Sequence, residues 1–472
     1  MKIKLLLLIS IVFLFSCTTE EILPTYTIET NVTPLDGGEL KISPQKSEYR
    51  EGEIITVIPE PSEGWIFKEW KGDFQGNTNP LQIIMNSNKS IIGVFEEKSY
   101  NLNLTIIGEG TVEEKIISNP SGKVYPNGTL VELIPKPSEG WVFGNWGGDL
   151  NGSQSPITIL VDGEKNVKVY FIPNPNFYLG PNEITCMCPN SRVGEKGSIN
   201  GVIYESVDNN LIRKRFSDGE DMTKLCTSLV TDLSELFMNS TFNQPIGHWD
   251  VSNVTKFNRL FFRSKFNQPI GDWDVSNGID MSQMFEETPF NQPIGNWNVG
   301  KVKNMGNMFL LSKFNQPIGN WDVSQVFTMV GMFMSTEFNQ PIGNWDVSNV
   351  QFMSNMFLGT PFDHPIGDWD VSNVTKMSQM FYSSDFNHPI GNWDVGNVEE
   401  MFQMFRLSKF NQPIGDWNVR NVTKMVSMFG DSNFNQDISK WCVPNILSEP
   451  VGFSSNSPLS PENKPKWGTC PD

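Results

Sequence analysis

Over residues 230–445 the apolar positions return every 24 residues without insertion or deletion, marked by Trp249, Trp273, Trp297, Trp321, Trp345, Trp369, Trp393, Trp417 and Trp441. A strict period means that each unit is one coil, unable to bury its apolar face alone and stable only when stacked on its neighbours. Within a unit the periodicity changes. Around Trp369, the alternation Trp369, Asp370, Val371 predicts a short strand with Trp and Val inward and Asp outward. Ser372 or Asn373 then caps a predicted helix whose apolar face is Val374, Met377, Met380 and Phe381. Ser383 to Asp385 turn the chain, Phe386 packs inward, and Pro389 and Gly391 bend it back to the next strand. The pattern therefore predicts an α/β solenoid of nine 24-residue coils over 230–445, with a linker and N-terminal cap at 173–229 and a C-terminal cap at 446–472. The recurring Asn at 243, 267, 291, 315, 339, 387, 411 and 435 predicts a buried amide ladder along the return path, interrupted by Asp363.

Upstream, the periodicity is that of strands. A longer unit occurs twice, as IPEPSEGWIFKEWKGDFQG at 58–76 and IPKPSEGWVFGNWGGDLNG at 134–152, offset by 76 residues. Short alternating runs separated by Gly, Pro and Asn turns predict two small all-β modules, 26–98 and 99–172. Trp65, Trp70, Trp141 and Trp146 are expected in their cores. Asp73 and Asp149 lie in Gly-Asp turns of the kind that tight backbone bends require, rather than in loops dense enough in carboxylates for calcium.

Two resemblances follow from these residues. The GWxFxxW, GD and late Phe features over 26–172 resemble the divergent internalin-B-type repeat modules of bacterial surface proteins, which implies stalk or adhesion modules. The FNQPIGNWDVSNVTxMxxMF unit, with its Cys-bearing flanks, resembles the BspA-like surface lipoprotein family, related to leucine-rich repeats, which implies a surface adhesin. Together they give the expected architecture of two small all-β modules followed by an α/β leucine-rich-repeat-like solenoid.

The N-terminus adds a compartment. Lys2 and Lys4 precede an apolar run, Leu5 to Phe15, shorter than the roughly 20 residues that span a bilayer. Residues 1–16 read as a signal peptide. Leu14-Phe15-Ser16-Cys17 resembles the lipobox of bacterial lipoproteins, which implies lipidation of Cys17 and a tether at 17–25. Thr18, Glu20 and Glu21 resemble sorting signals for the outer membrane and its exposed surface. The expected partners are thus the membrane, through an N-terminal lipid, and an unidentified host or bacterial surface protein or glycan.

Cysteine placement suits an oxidising compartment. Cys188 and Cys226 bracket the segment before the coils, and Cys442 and Cys470 bracket their C-terminal end, so these two pairs are the expected disulfides, with Cys186 left over. A zinc site from Cys186, Cys188 and Cys226 is the alternative, although it lacks the paired spacing of structural zinc. A net charge of −18 does not supply the basic footprint of a nucleic-acid binder.

Catalytic chemistry is sparse. His248, His364 and His388 occupy positions that hold Asn, Asp or Gln in other coils, so they read as substitutions rather than acid–base residues. No catalytic motif stands in a suitable context, and no metal or other cofactor is implied. The column Asp250, Asp274, Asp322, Asp346, Asp370 and Asp394 reads as a solvated face. What varies between coils is the quartet before each Phe-Asn pair and several charged positions. Two readings of that variation stand, a binding platform or drift on an unconstrained face. On the first, the candidate surface includes Arg259, Arg263, Lys313, Glu337, Tyr382 and Arg406. The expected function is non-catalytic adhesion or ligand binding by a lipidated surface protein; the alternative is a glycan-capture lipoprotein or a component of a carbohydrate-active enzyme.

Overall fold

A computed structural model describes residues 22–119, 122 and 124–471; the expected signal peptide and Cys17 lie outside them. The chain divides into two compact units, Met1–Pro137 with Phe143–Phe171, and Ser138–Val142 with Ile172–Asp472.

The first unit holds the all-β modules. In the first copy, Ile28–Thr33 pairs in parallel with Lys89–Glu97, which pairs antiparallel with Trp65–Gly72. A second sheet is formed by Gly38–Ser43, Ile54–Pro61 and Leu81–Ile84, all antiparallel. The second copy repeats both sheets in the same order. Alternation along each strand buries one face, and Tyr49, Ile55, Val57, Trp70, Ile83, Met85 and Ile91 form the core of the first copy. Trp70 and Trp146 are each 1% exposed, with Nε1 donating to the Thr78 and Gln154 carbonyls at 2.7 and 2.9 Å. Asp73 and Asp149 accept from the backbone N–H groups of Ser90 and Asn166, tying each Gly-Asp turn to a neighbouring strand.

In the second unit a short antiparallel pair, Tyr178–Leu179 and Cys186–Met187, precedes a hairpin, Lys196–Ile199 and Val202–Ser206, that extends in parallel to Leu225–Cys226. The α-helix Asn209–Ser217 follows the hairpin, capped by the Asp208 carboxylate, which accepts from the Asn210 and Leu211 N–H groups. Its Arg215 makes a two-bond contact with Glu205, each at 2.7 Å.

The repeats overturn the expected α/β solenoid. Among the described residues the one α-helix is Asn209–Ser217, ahead of the first repeat, and no repeat contains the expected helix or the expected strand at Trp-Asp-Val. The segment read as helix is a chain of overlapping turns. Met380 N–H donates to Met377 O, Tyr382 to Gln379 and Ser384 to Phe381, at 3.2–3.3 Å. Gln379 and Ser383 have positive φ, 56° and 53°, which no α-helix admits. The N–H groups left over point along the stack: those of Met377, Gln379, Phe381 and Ser383 donate to Glu400, Phe402, Met404 and Arg406 carbonyls of the next coil at 2.8–3.0 Å. Single parallel bridges 24 residues apart run from Asp232 through Lys256, Asp280, Asn304, Thr328, Phe352, Lys376 and Glu400 to Lys424. The backbone is thus satisfied between coils instead of within a helix.

Side chains repeat the same register. Trp249 stacks on Trp273 and Trp273 on Trp297 at 6.5 Å between ring centroids, with their planes nearly parallel. Phe285, Phe309, Phe333 and Phe357 form a second column at 5.7–5.9 Å. A third column, through Phe290 and Phe314, lies at 6.2 Å. Buried Ser or Thr closes each turn: Thr288 Oγ1 donates to the Phe285 carbonyl at 2.8 Å and accepts from the Phe290 N–H.

The Asn ladder exists but lies at the surface, half-buried or exposed. From Asn243 to Asn411 the Oδ1 accepts the backbone N–H of the residue 24 positions on, for example Asn267 N–H to Asn243 at 2.9 Å. Asp363 continues the ladder instead of breaking it, because a carboxylate oxygen accepts the Asn387 N–H just as an amide oxygen does.

Candidate binding surface

The two ends of the repeat stack are stapled by disulfides Cys188–Cys226 and Cys442–Cys470. The first commits two of the three thiols of the alternative zinc site. Cys186 is free and buried; burial, with the Asp250 charge second, pushes its thiol up to about 12, so it is held protonated and unreactive. His248 packs against Tyr204 at 5.6 Å with its buried Nε2 unpaired, and burial lowers its pKa. His364 and His388 take the place of Gln in the ladder, reaching the Asn339 and Asp363 carbonyls at 3.1 and 3.0 Å.

The structure places most of the six candidate residues in contacts between coils. Arg259 Nε donates to Gln283 Oε1 at 2.7 Å and Nη1 reaches Glu235 at 3.2 Å. Arg263 pairs with Glu287 at 2.7 Å and lies 4.8 Å from the Phe262 ring. Lys313 and Glu337 pair with each other at 2.7 Å. Arg406 reaches Asp431 at 3.2 Å, and Tyr382 is half-buried with its carbonyl accepting from Gly359. These charges form a seam that links successive coils. Arg259 and Arg263 also hold the left-handed turn positions, with φ of 56° and 52°.

The Asp column has a local structural role as well. Asp274, Asp322, Asp346, Asp370 and Asp394 each accept the N–H of the residue two positions on, at 2.9–3.1 Å. Asn298 and Asn418 do the same, which explains why Asn substitutes freely there. Bonds from Ser324 and Ser372 hold the carboxyls of Asp322 and Asp370 below their ordinary range.

A second column is only partly legible in the sequence, through the changing charge at Lys303 and Glu399. Thr255, Ile279, Lys303, Phe327, Gln351, Thr375, Glu399 and Thr423 follow one another every 24 residues, each N–H donating to the carbonyl of its predecessor at 2.8–3.0 Å. Ile279 and Phe327 are 45% and 41% exposed. Toward the C-terminal end this column opens into a groove of about 520 Å³ lined by Gln351, Asn373, Thr375, Asn397, Glu399, Asn421 and Thr423. The signal was present as the residue after each Asn-Val or its equivalent, which changes chemistry from coil to coil, as does the residue that follows it, while the Val before it is nearly constant.

Comparison with known families places these features. Residues 209–312, 288–385 and 359–464 match the family model described as Mycoplasma protein of unknown function, DUF285. Residues 28–99 and 100–175 match the divergent InlB B-repeat domain. No curated protein and no solved structure matches the chain. Among the described residues no helix is long and apolar enough to cross a membrane.

Proposed function

This chain belongs to the DUF285 family, whose matches span more than half of its 472 residues, and we propose that it is a non-enzymatic surface protein that displays its repeat stack for adhesion. In this reading Cys17 carries the lipid that anchors the protein in the outer membrane, and the divergent InlB B-repeat modules precede the binding region in the chain. The BspA-like resemblance of the repeat unit and the lipobox-like LFSC segment support it.

One observation carries the proposal. The buried positions of successive coils are nearly invariant and stack on their own kind, whereas the exposed column from Thr255 to Thr423 changes between hydroxyl, apolar, cationic, amide and anionic residues at fixed spacing. A rigid core under a varied, in-register surface is what extended recognition by repeat proteins uses. A glycan platform built on the repeat tryptophans is disfavoured, because none is more than 3% exposed and a buried indole cannot stack on a sugar.

The test is capture of a protein partner from host-matrix or neighbouring-cell extracts by the full chain. A variant with Ile279, Lys303, Phe327 and Gln351 changed to Ser loses capture while keeping its thermal transition. A second variant, with Arg259, Arg263, Lys313, Glu337, Tyr382 and Arg406 changed to Ser, reports on the seam. Undiminished capture by both variants moves binding off the repeats. Cys17→Ala releases the protein from the membrane fraction; retention without acyl mass removes the anchor from the proposal.

A further inference from the structure

The groove beside Glu399 is lined with acceptors. We infer that it binds primary ammonium groups, presented as lysine side chains by an extended segment of a partner protein; this rests on the adhesion reading and names the chemistry that one stretch of the surface recognises.

Three observations converge. The first is the lining: Gln351, Asn373, Thr375, Asn397, Glu399, Asn421 and Thr423 include no cationic side chain. The second is how the lining groups are committed. Asn373, Asn397 and Asn421 each turn Nδ2 to the preceding coil, donating to the Ser348, Ser372 and Gly396 carbonyls at 2.7, 2.8 and 2.7 Å. The oxygen of each amide is left as its acceptor. Thr375 and Thr423 likewise spend their hydroxyl protons on the Gln351 and Glu399 carbonyls at 3.3 and 3.2 Å. Glu399 makes no ion pair among the described residues, while its neighbour Glu400 is held by Lys424 at 2.8 Å. An ammonium offers three donors and no acceptor, which is the complement of such a wall.

The third observation comes from the chain itself. In the column that holds Asn373, Asn397 and Asn421, nearer the N-terminus, the coil that follows Asn277 carries Lys301 where most others carry Asn, and Lys301 Nζ donates to Asn277 Oδ1 at 2.7 Å. The ladder thus already holds one ammonium at one of its rungs. Between 351 and 423 no lysine occupies the corresponding position, and the rungs at Asn373, Asn397 and Asn421 stand one coil apart. Parallel bridges join Lys376 to Glu400 and Glu400 to Lys424 beside the groove, so its coils stand at strand spacing, roughly 4.8 Å, and the acceptors of successive coils lie within reach of neighbouring lysine side chains of one extended segment.

The experiment measures anisotropy of dye-labelled hexalysine with the full chain. Binding is expected to weaken with salt, and to be absent for hexaserine. Asn397→Lys reproduces the Lys301–Asn277 contact inside the groove, and Glu399→Gln removes the carboxylate without touching the backbone ladder. Each is expected to weaken binding ~tenfold. Asp36→Asn, an equal charge change in the first unit, is expected to leave it unaltered. Equal weakening by Asp36→Asn, undiminished binding by Glu399→Gln and Asn397→Lys, or hexaserine bound as tightly as hexalysine overturns the inference; so does free spermidine binding as tightly as the peptide. Thermal denaturation of each variant confirms folding. If extract capture depends on the exposed column yet hexalysine does not bind, this inference fails and the adhesion reading stands; hexalysine binding without any capture gives the reverse.

Discussion

Trp345 Nε1 donates to the carbonyl of Ile318, 27 residues earlier, at 3.2 Å. The same bond recurs from Trp273 to Ile246 through Trp441 to Ile414, so each indole is a second donor to a buried carbonyl that already accepts the backbone N–H of the Trp of its own coil. The aromatic column is therefore a set of directional links as well as a hydrophobic stack.

Trp345→Phe keeps an aromatic ring but removes the donor and part of the volume. The Ile318 carbonyl then keeps only the Trp321 backbone N–H, at 3.1 Å, and a void opens against the neighbouring ring. We expect a loss of about 1–3 kcal/mol in urea unfolding, from the lost hydrogen bond and the void. An unchanged midpoint would show that the indole N–H carries no structural load.

The left-handed turn positions give a second expectation. Gly359 has φ 66°, and a Cβ there would come no nearer than 3.4 Å to Ser335 Oγ, so backbone conformation rather than space is limiting. Gly359→Val should cost about 1–2 kcal/mol. Leu311 sits at φ 55° in the corresponding place one period pair earlier, with 52% of its surface exposed. Leu311→Asn should therefore raise stability by roughly 0.5–1 kcal/mol, since Asn tolerates that region and little burial is lost. Thermal denaturation of the two variants checks the signs.

These turns also show where sequence and structure part. The spacing of Val374, Met377, Met380 and Phe381 is that of a helix face, but consecutive turns with a left-handed third residue place the same positions inward. What decides between them is whether backbone N–H groups bond within the coil or to the next, which is a tertiary matter. A trace was nonetheless legible. The two left-handed positions hold Arg259, Gln283, Asn307, Gly331 and Asn355 in one column and Arg263, Glu287, Leu311, Ser335 and Gly359 in the other, with no β-branched residue in either. Likewise, the variable quartets hide a fixed Ser or Thr, at 264, 288, 312, 336 and 360, that marks a buried turn rather than a free surface. The disulfide pairs were readable from their placement at the ends of the repeats. The seam role of Arg259, Arg263 and Arg406 was not, because it depends on which residue 24 or 25 positions away shares their side.

His248 makes the cap pH-sensitive. Burial lowers its pKa from 6.5 and its Nε2 has no partner, so the folded chain resists a proton that the unfolded chain accepts. The unfolded state binds more protons below that value, so stability is complete above about pH 6.5 and falls as pH drops through it. The melting temperature should decline more between about pH 7 and pH 5 in the parent than in His248→Asn. Parallel declines would remove His248 as the cause.

The C-terminal staple should matter more than its exposed position suggests. Cys442–Cys470 closes a segment 28 residues apart in sequence, and that segment supplies Phe453, Leu459 and Trp467 to cover the last coil, whose Trp441 has no following ring to stack on. Opening it by Cys442→Ser with Cys470→Ser frees the cap in the unfolded chain and should cost about 2–4 kcal/mol. The loss should start at that end, so amide exchange at the Phe429 and Asp431 N–H groups, which donate to Phe453 and Ser455, should quicken before exchange near Phe333 does. Cys186 serves as the internal control: buried and with its thiol pushed up to about 12, its peptide should remain unalkylated in the folded protein of both parent and variant. Uniform acceleration along all the coils would instead mean that the stack unfolds as one cooperative block and that the staple acts on the whole of it.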